Sequence, residues 1–276
     1  MFTLNCKGKI VVIEKAIVMG IINVTPDSFF SGSRTQNEDA ILQHAEKMIS
    51  EGGDIIDIGG QSTRPGSERI NSDEELFRIL PAIEMILQKF PGTIISVDTY
   101  YSSVAAIAIA AGASIVNDIS AGNLDAAMIS TVAALRVPYI CMHMKGTPEA
   151  MQQEPFYENV TKEVLDFFIE KTAQCKTAGI NDVIIDPGFG FGKTITHNFQ
   201  LLKNLSVFKI ADRPIMVGLS RKSTIYKTLG IPVEDSLNGS TVLHTLALQN
   251  GANILRVHDV KEAKEAIALF EKYSRV

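Results

Sequence analysis

Three stretches of this chain set charged side chains beside glycine at spacings suited to an anion or a flat polar ligand. The first is Asp54-Ile-Ile-Asp57-Ile-Gly-Gly60-Gln-Ser-Thr63-Arg64-Pro65-Gly66. In a strand, Ile55, Asp57 and Gly59 share one face, which turns Asp57 inward. Gly59-Gly60 lets the backbone turn tightly beside a ligand, and the Thr63 hydroxyl with the Arg64 guanidinium suits phosphate. The second is Asp186-Pro-Gly-Phe-Gly-Phe191-Gly-Lys193, a carboxylate anchor beside an adaptable apolar wall. Its glycines lack the dinucleotide-binding spacing, and Pro187 stands where a P-loop requires its first glycine. The third joins Gly218-Leu-Ser220-Arg221-Lys222-Ser223 to Leu255-Arg256-Val-His258-Asp259. Arg256 and His258 are two apart on one strand and so share a face; with Arg221 and Lys222 they form a focused positive site. Asp98 and Asn117 extend the polar set; interior carboxylates and amides need partners, so they either hydrogen-bond each other and Lys222 or read a donor-rich heterocycle. His143 reads either as a satisfied core histidine, the commoner case, or as a functional strand-end group.

The elements that must position these groups are legible as eight apolar runs without alternation, the pattern of strands buried on both faces of a parallel sheet. They are expected at 16–23, 54–59, 93–98, 114–117, 138–143, 183–186, 214–220 and 254–258, closing on or beside Asn23, Asp57, Asp98, Asn117, His143, Asp186, Lys222 and the Arg256–His258 pair. Helical stretches fill the gaps, so the fold class is α/β, a single (β/α)8 TIM barrel whose polar strand ends meet at one mouth, where such barrels carry their chemistry. Residues 2–14 form an expected β-hairpin around Lys7-Gly8-Lys9. The organisation is then a plug at 1–15 and a barrel at 16–276, one domain overall. Asn37, the Ser72/Glu75 pair and the Asp259/Glu262 pair are expected helix caps. Pro81 should kink its helix, and Val164, Leu165, Phe168, Ile169 and Cys175 should form one buried face ahead of a stop at Gly179. The long connections 24–36, 60–71 and 187–196 are expected to form a movable cover over the mouth.

Composition narrows the function classes. A chain of 276 residues fits one such barrel, and 46% hydrophobic content supports a large core. A net charge of −5 argues against nucleic acid as the main partner. The basic residues Arg64, Lys193, Arg221, Lys222 and Arg256 lie in or beside strand ends, a placement that suits a small anionic ligand. Cys6, Cys141 and Cys175 are too few and too scattered for a disulfide scaffold or a zinc site, and are read as reduced and structural. With no secretory segment and no bilayer-spanning stretch, a soluble cytoplasmic protein is expected. No His/Cys/Asp cluster has metal-ligand spacing, so a metal should arrive with a phosphorylated substrate.

The long strings are specific enough to carry a resemblance. Gly20-Ile-Ile-Asn23-Val-Thr-Pro-Asp27-Ser-Phe-Phe, the Asp57–Gly66 run, Val97-Asp98-Thr, Asn117-Asp118-Ile, Met142-His-Met-Lys-Gly-Thr-Pro148, Asp186–Lys193, Ser220-Arg-Lys222 and Arg256-Val-His258-Asp259-Val resemble, in order, the dihydropteroate synthases. The resemblance implies a folate-pathway transferase that joins 6-hydroxymethyl-7,8-dihydropterin pyrophosphate to p-aminobenzoate with release of pyrophosphate. It also implies Mg2+, a homodimer and inhibition by sulfonamides. By the same resemblance Asp98, Asn117, Asp186, Met142 and Lys222 contact the pterin, while Asn23, Thr63, Arg64, Arg256 and His258 bind pyrophosphate, Asn23 near the metal. Thr63, Pro65, Phe191, Arg221 and Ser223 line the p-aminobenzoate pocket. Asp98, Lys222, Arg256, His258 and Arg64 are the expected catalytic set. Gln61 stands where many members carry Glu, and Asn238-Gly-Ser-Thr is a less familiar version of its segment.

Three other readings share parts of this pattern. A Schiff-base aldolase would use Lys222 but would want an apolar surround, whereas Arg221 adjoins it. A corrinoid-dependent methyltransferase binds a pterin in a barrel without needing Arg64, Arg256 and His258. A non-catalytic pterin-binding subunit would have no use for intact Asn23, Asp98, Lys222 and Arg256.

Overall fold

A computed structural model describes residues 1–25, 34–61, 69–147, 151 and 155–276, with side chains from residue 38 onward in the second segment. An antiparallel hairpin, β1 (Phe2–Cys6) and β2 (Lys9–Ile13), precedes the barrel strands β3 (Ile17–Asn23), β4 (Ile55–Gly59), β5 (Ile95–Asp98), β6 (Ile115–Asp118), β7 (Tyr139–Met142), β8 (Val183–Asp186), β9 (Met216–Val217) and β10 (Ile254–Val257). These eight run parallel in the order β8-β7-β6-β5-β4-β3-β10-β9. A bridge between Ile185 and Ile215, with the Ile185 N–H on the Pro214 carbonyl at 3.0 Å, closes the ring. The expected barrel with its leading hairpin is therefore the observed one.

Helices α1 (Arg34–Ser50), α2 (Ser72–Lys89), α3 (Ser102–Ala110), α4 (Met128–Leu135), α5 (Val160–Ala178), α6 (Ile195–Lys203), α7 (Ser223–Leu229), α8 (Leu237–Gln249) and α9 (Val260–Tyr273) surround the strands. The strands carry Ile, Val and Met on both faces because both are covered. One face packs on the helices in the main core, through residues such as Val18, Ile22, Ile56, Ile58, Val97 and Val116. The other face fills the barrel. Its lower layer, Met19, Ile55, Ile115, Ile140, Ile184, Met216 and Ile254, meets Leu4, Cys6 and Ile13 of the hairpin, which seals the bottom. The apolar filling gives way to polar side chains toward the mouth.

Several local expectations need correction. β9 keeps two residues of the expected 214–220; just before it the Asn253 side chain takes the Ile215 N–H at 2.9 Å in place of a ladder carbonyl. α1 begins at Arg34, ahead of Asn37. α2 is capped by Asn71, whose side chain accepts the Glu74 N–H, rather than by Ser72, and it runs on through Pro81. On α5 the buried face is Val160, Val164, Phe168, Lys171 and Cys175, so Ile169 lies outside it; Lys171 is buried because its ammonium reaches Asn123 Oδ1 at 2.7 Å. Gly179 ends α5 in the left-handed region as expected. Asp259 precedes α9 without a capping bond, since Arg221 takes its carboxylate. The three cysteines are free and buried. Among the described residues no helix is long and apolar enough to cross a membrane.

Candidate active site

Strand register gathers the polar side chains into one layer. Asn23 pairs with Gly59, Gly59 with Asp98, and Asp98 with Asn117 across β3 to β6. Asp57, two residues below Gly59, faces the same way one level deeper and is fully buried. Asn117 Nδ2 donates to Asp57 Oδ2 at 2.9 Å. From β10, Arg256 Nε donates to the same oxygen at 2.6 Å, and Arg256 Nη2 donates to Asp98 Oδ2 at 2.6 Å. One guanidinium thus bridges two interior carboxylates, a geometry that needs the planar fork of arginine. Asp57, which alternation turns inward but the resemblance leaves without a role, joins Asn117 and Arg256 through one oxygen. Its Oδ1 is buried without a partner among the described residues.

Electrostatics follow from crowding. Burial raises the Asp98 pKa above the ordinary carboxylate range; Arg256 opposes the rise, and Asp57, Asp118 and Asp186 add to it. Burial works against the Arg256 charge, but Asp57 and Asp98 outweigh it and hold the guanidinium protonated.

Opposite this ring lie Asp186 and Lys222. Asp186 pairs in register with Met142 and accepts the Gly188 N–H on Oδ1 at 2.8 Å. Burial raises its pKa, opposed by Lys222 and the Gly188 N–H. Lys222 donates to the Phe189 carbonyl and stands 4.6 Å from the centre of the Phe191 ring. Burial lowers its pKa to about 8, with Arg256 contributing and Asp186 opposing. Met142 and Phe191 belong to one small apolar cluster with Tyr100 and Ile119, a wall beside the polar ring.

The connection after β8, expected to be part of a movable cover, is tied down. Lys193 is buried, with Nζ 2.9 Å from His143 Nδ1 and donating to the carbonyls of His143 at 3.2 Å, Gly188 at 3.0 Å and Phe191 at 3.0 Å. It is not an anion binder; it cinches the glycine-spaced loop that carries Phe189 and Phe191. A Cβ at Gly188 would lie 1.9 Å from the His143 carbonyl oxygen, and one at Gly192 2.2 Å from that of Lys145, so glycine is what lets the loop close so tightly. His143 is held in the same packing. It is buried, meets Phe167 edge-on at 4.9 Å, and has its pKa pushed down to about 2 by burial and then by Lys193.

The third cluster divides. His258 keeps part of its side chain exposed, while its Nδ1 lies 3.1 Å from Ser220 Oγ. Arg221, in the left-handed region at φ 54°, turns its side chain the other way into a two-point pair with Asp259, Nε to Oδ2 at 2.8 Å and Nη2 to Oδ1 at 2.7 Å. The expected positive cluster therefore loses Arg221 to a carboxylate, while Lys222 faces the Phe191 ring. Ser223, half-buried, opens α7. Thr63, Arg64 and Pro65, with most of the first two long connections, lie outside the described residues.

A buried ring of carboxylates, an amide and a bridging arginine at the carboxyl ends of parallel strands is a place for a flat ligand rich in N–H donors with an anionic tail. Residues 19–258 match the family described as pterin binding enzyme, and the chain belongs to that family. It is 44% identical over 260 residues to the dihydropteroate synthase of Escherichia coli (strain K12), covering 92% of this chain and 90% of that one. The Xanthomonas albilineans dihydropteroate synthase with 4-aminobenzoic acid has a TM-score of 0.92 and 39% identity, covering 99% of this chain and 98% of that chain. The complex of the Xanthomonas albilineans enzyme with 7,8-dihydropteroate has a TM-score of 0.89 and 38% identity, covering 99% of each chain. Within the family the chain belongs with the dihydropteroate synthases, which are transferases.

Proposed function

We propose that the protein condenses 6-hydroxymethyl-7,8-dihydropterin pyrophosphate with p-aminobenzoate to give 7,8-dihydropteroate and pyrophosphate. The observation that carries the reading is the buried Asp57–Asn117–Asp98–Arg256 network facing Asp186 and Lys222. The pterin 2-amino group and adjacent ring N–H are donors for Asp186, whose Oδ1 already holds Gly188. Asn117 and Asp98 take further edge groups, Lys222 donates to the pterin carbonyl and ring nitrogen, and Met142 packs on the ring face. Thr63, Pro65, Phe191, Arg221 and Ser223 line the p-aminobenzoate pocket, for which Arg221 would have to leave Asp259 at least in part.

The aryl amine is neutral at physiological pH, so the barrier lies in the leaving group. The methylene C–O bond breaks with its electron pair going to pyrophosphate; the amine nitrogen then forms the C–N bond and loses a proton to solvent or to the departing anion. Asn23, Thr63, Arg64, Arg256 and His258 bind the diphosphate, and the cationic ones stabilise its growing charge. Asp98 beside the ring favours cation character on the pterin methylene, a dissociative displacement. Among the described residues no group of three or more His, Cys, Asp or Glu could hold a cation unaided. Magnesium carried in by the diphosphate still fits, because the Asn23 side-chain oxygen faces the mouth beside Gly59, a hard neutral donor to complement phosphate oxygens and water. When bound, the ion would offset charge on the leaving group.

A dimer accords with the exposed Val242 and Leu246, one turn apart on α8, and a cytoplasmic home with substrates of this kind. Residues 1–15 act as the plug of a single catalytic domain at 16–276. The test is a stoichiometric assay of the purified protein with both substrates and magnesium. One pyrophosphate per dihydropteroate is expected; pterin binding without release of pyrophosphate would leave a non-catalytic binder.

The lowered Lys222 pKa has a direct consequence. The free protein carries the ammonium below about pH 8 and loses it above. If the bound pterin needs that donor, affinity should be flat up to that point and fall about tenfold per unit beyond it. Calorimetry across that range checks this, with Lys222→Met expected to bind weakly and without the pH dependence.

A further inference from the structure

Ser220 lies in the turn before α7, where it is buried and meets His258 twice. The His258 backbone N–H donates to Ser220 Oγ at 3.2 Å, and the imidazole Nδ1 lies 3.1 Å from the same oxygen. A hydroxyl has one hydrogen and two acceptor sites. The backbone N–H occupies one acceptor site. A buried hydroxyl hydrogen without an acceptor is costly, and among the described residues the only acceptor in reach is Nδ1. Donation from the serine to Nδ1 satisfies that hydrogen within the pair, and it leaves that nitrogen unprotonated with the ring proton on Nε2.

We infer that Ser220 is a positioning residue that holds His258 as the neutral Nε2–H tautomer and aims that N–H toward the barrel mouth. Resting on the transferase reading above, the consequence is that His258 meets the departing diphosphate as a fixed neutral donor rather than as one more cation. The surroundings agree. Arg256, Arg221 and Lys222 all bear on His258, Asp259 alone opposing them, and crowding by protein and then Arg256 holds its pKa down at about 4. A second cation beside Arg256 would be repelled, whereas a neutral donor can sit there without that cost.

The tautomer can be read without turnover. In protein labelled with 15N-histidine at neutral pH, with the His258 signals assigned through His258→Gln, long-range 15N–1H correlation should show a protonated Nε2 and an unprotonated Nδ1. Ser220→Ala should mix the tautomers and lower kcat roughly ten- to hundredfold, the range that loss of an orienting partner costs at metal-bound histidines, with KM for p-aminobenzoate little changed. Ser220→Thr, which keeps the hydroxyl, should restore both. A proton on Nδ1 in the wild type, alone or with Nε2, would overturn the inference, as would unchanged kcat in a Ser220→Ala protein whose tautomers have mixed. If Ser220→Ala does not fold, the wild-type spectrum decides. A wild type that shows the expected tautomer but makes no dihydropteroate would sink the transferase reading and leave the Ser220–His258 assignment standing.

Discussion

Replacing Arg256 with alanine should slow turnover by about a hundredfold or more and lower the melting temperature as well. Two effects share one cause. The guanidinium is the only cation that touches both Asp57 and Asp98 among the described residues, at 2.6 Å to each. Without it, Asp57 stays fully buried with only the Asn117 amide left to it. Breaking a buried ion pair by removing one partner costs about 3–5 kcal/mol, which for a chain of this length is a fall of roughly 5–10 °C. The catalytic loss would have a separate origin under the proposed reaction, the charge that Arg256 would offer the leaving diphosphate. Arg256→Lys separates the two: it keeps a positive charge but cannot span both carboxylates, so it should recover part of the turnover and little of the stability. Thermal denaturation and steady-state kinetics on both variants test this. A well-folded Arg256→Ala protein with near-normal turnover would remove Arg256 from the mechanism.

The second large effect is expected at Asp186. Asp186→Asn is nearly isosteric, so the fold should hold. The Gly188 N–H requires an oxygen at Oδ1, which forces the new amide NH2 toward the side where the pterin presents its own donors. Charge-assisted hydrogen bonds are replaced by facing donors, and sites built to hydrogen-bond a ligand lose heavily when that pairing fails. Affinity for 6-hydroxymethylpterin, which lacks the diphosphate, should fall by about a hundredfold or more. Using this tail-free ligand in calorimetry separates ring recognition from anion binding. An affinity within about threefold of wild type would mean that another group grips the heterocycle.

Much of this site could be read from residue order, because a parallel barrel converts strand ends into neighbours. Asn23, Asp98, Asn117 and Asp186 each close an apolar run, and register alone then sets Asn23, Gly59, Asp98 and Asn117 side by side. Alternation along β4 turned Asp57 inward. What failed depends on where a long side chain goes after its backbone position is known. Lys193 looks like a cation beside a strand end, yet the glycines at 188 and 192 fold its loop back until the ammonium is enclosed by carbonyls. Arg221 adjoins Lys222 in sequence, but a left-handed turn sends it to Asp259 while Lys222 faces Phe191. The capping errors are of the same kind: Asp259 had a stronger partner than a helix N–H, and Asn71 reached the first turn of α2 before Ser72 could. The hydroxyl–imidazole contact of Ser220 and His258 joins two turns 38 residues apart, and no local pattern announces it.

The structure of the protein with 6-hydroxymethyl-7,8-dihydropterin pyrophosphate bound reaches the central claim most directly, that carboxylates and an amide grip the heterocycle while nearby cations draw off its tail. The expected result is the 2-amino group and ring N–H on Asp186, Lys222 at the pterin carbonyl, and Arg256 and His258 donating to diphosphate oxygens. A heterocycle seated away from Asp186, or a diphosphate bound elsewhere while Arg256 stays closed on Asp57 and Asp98, would contradict it.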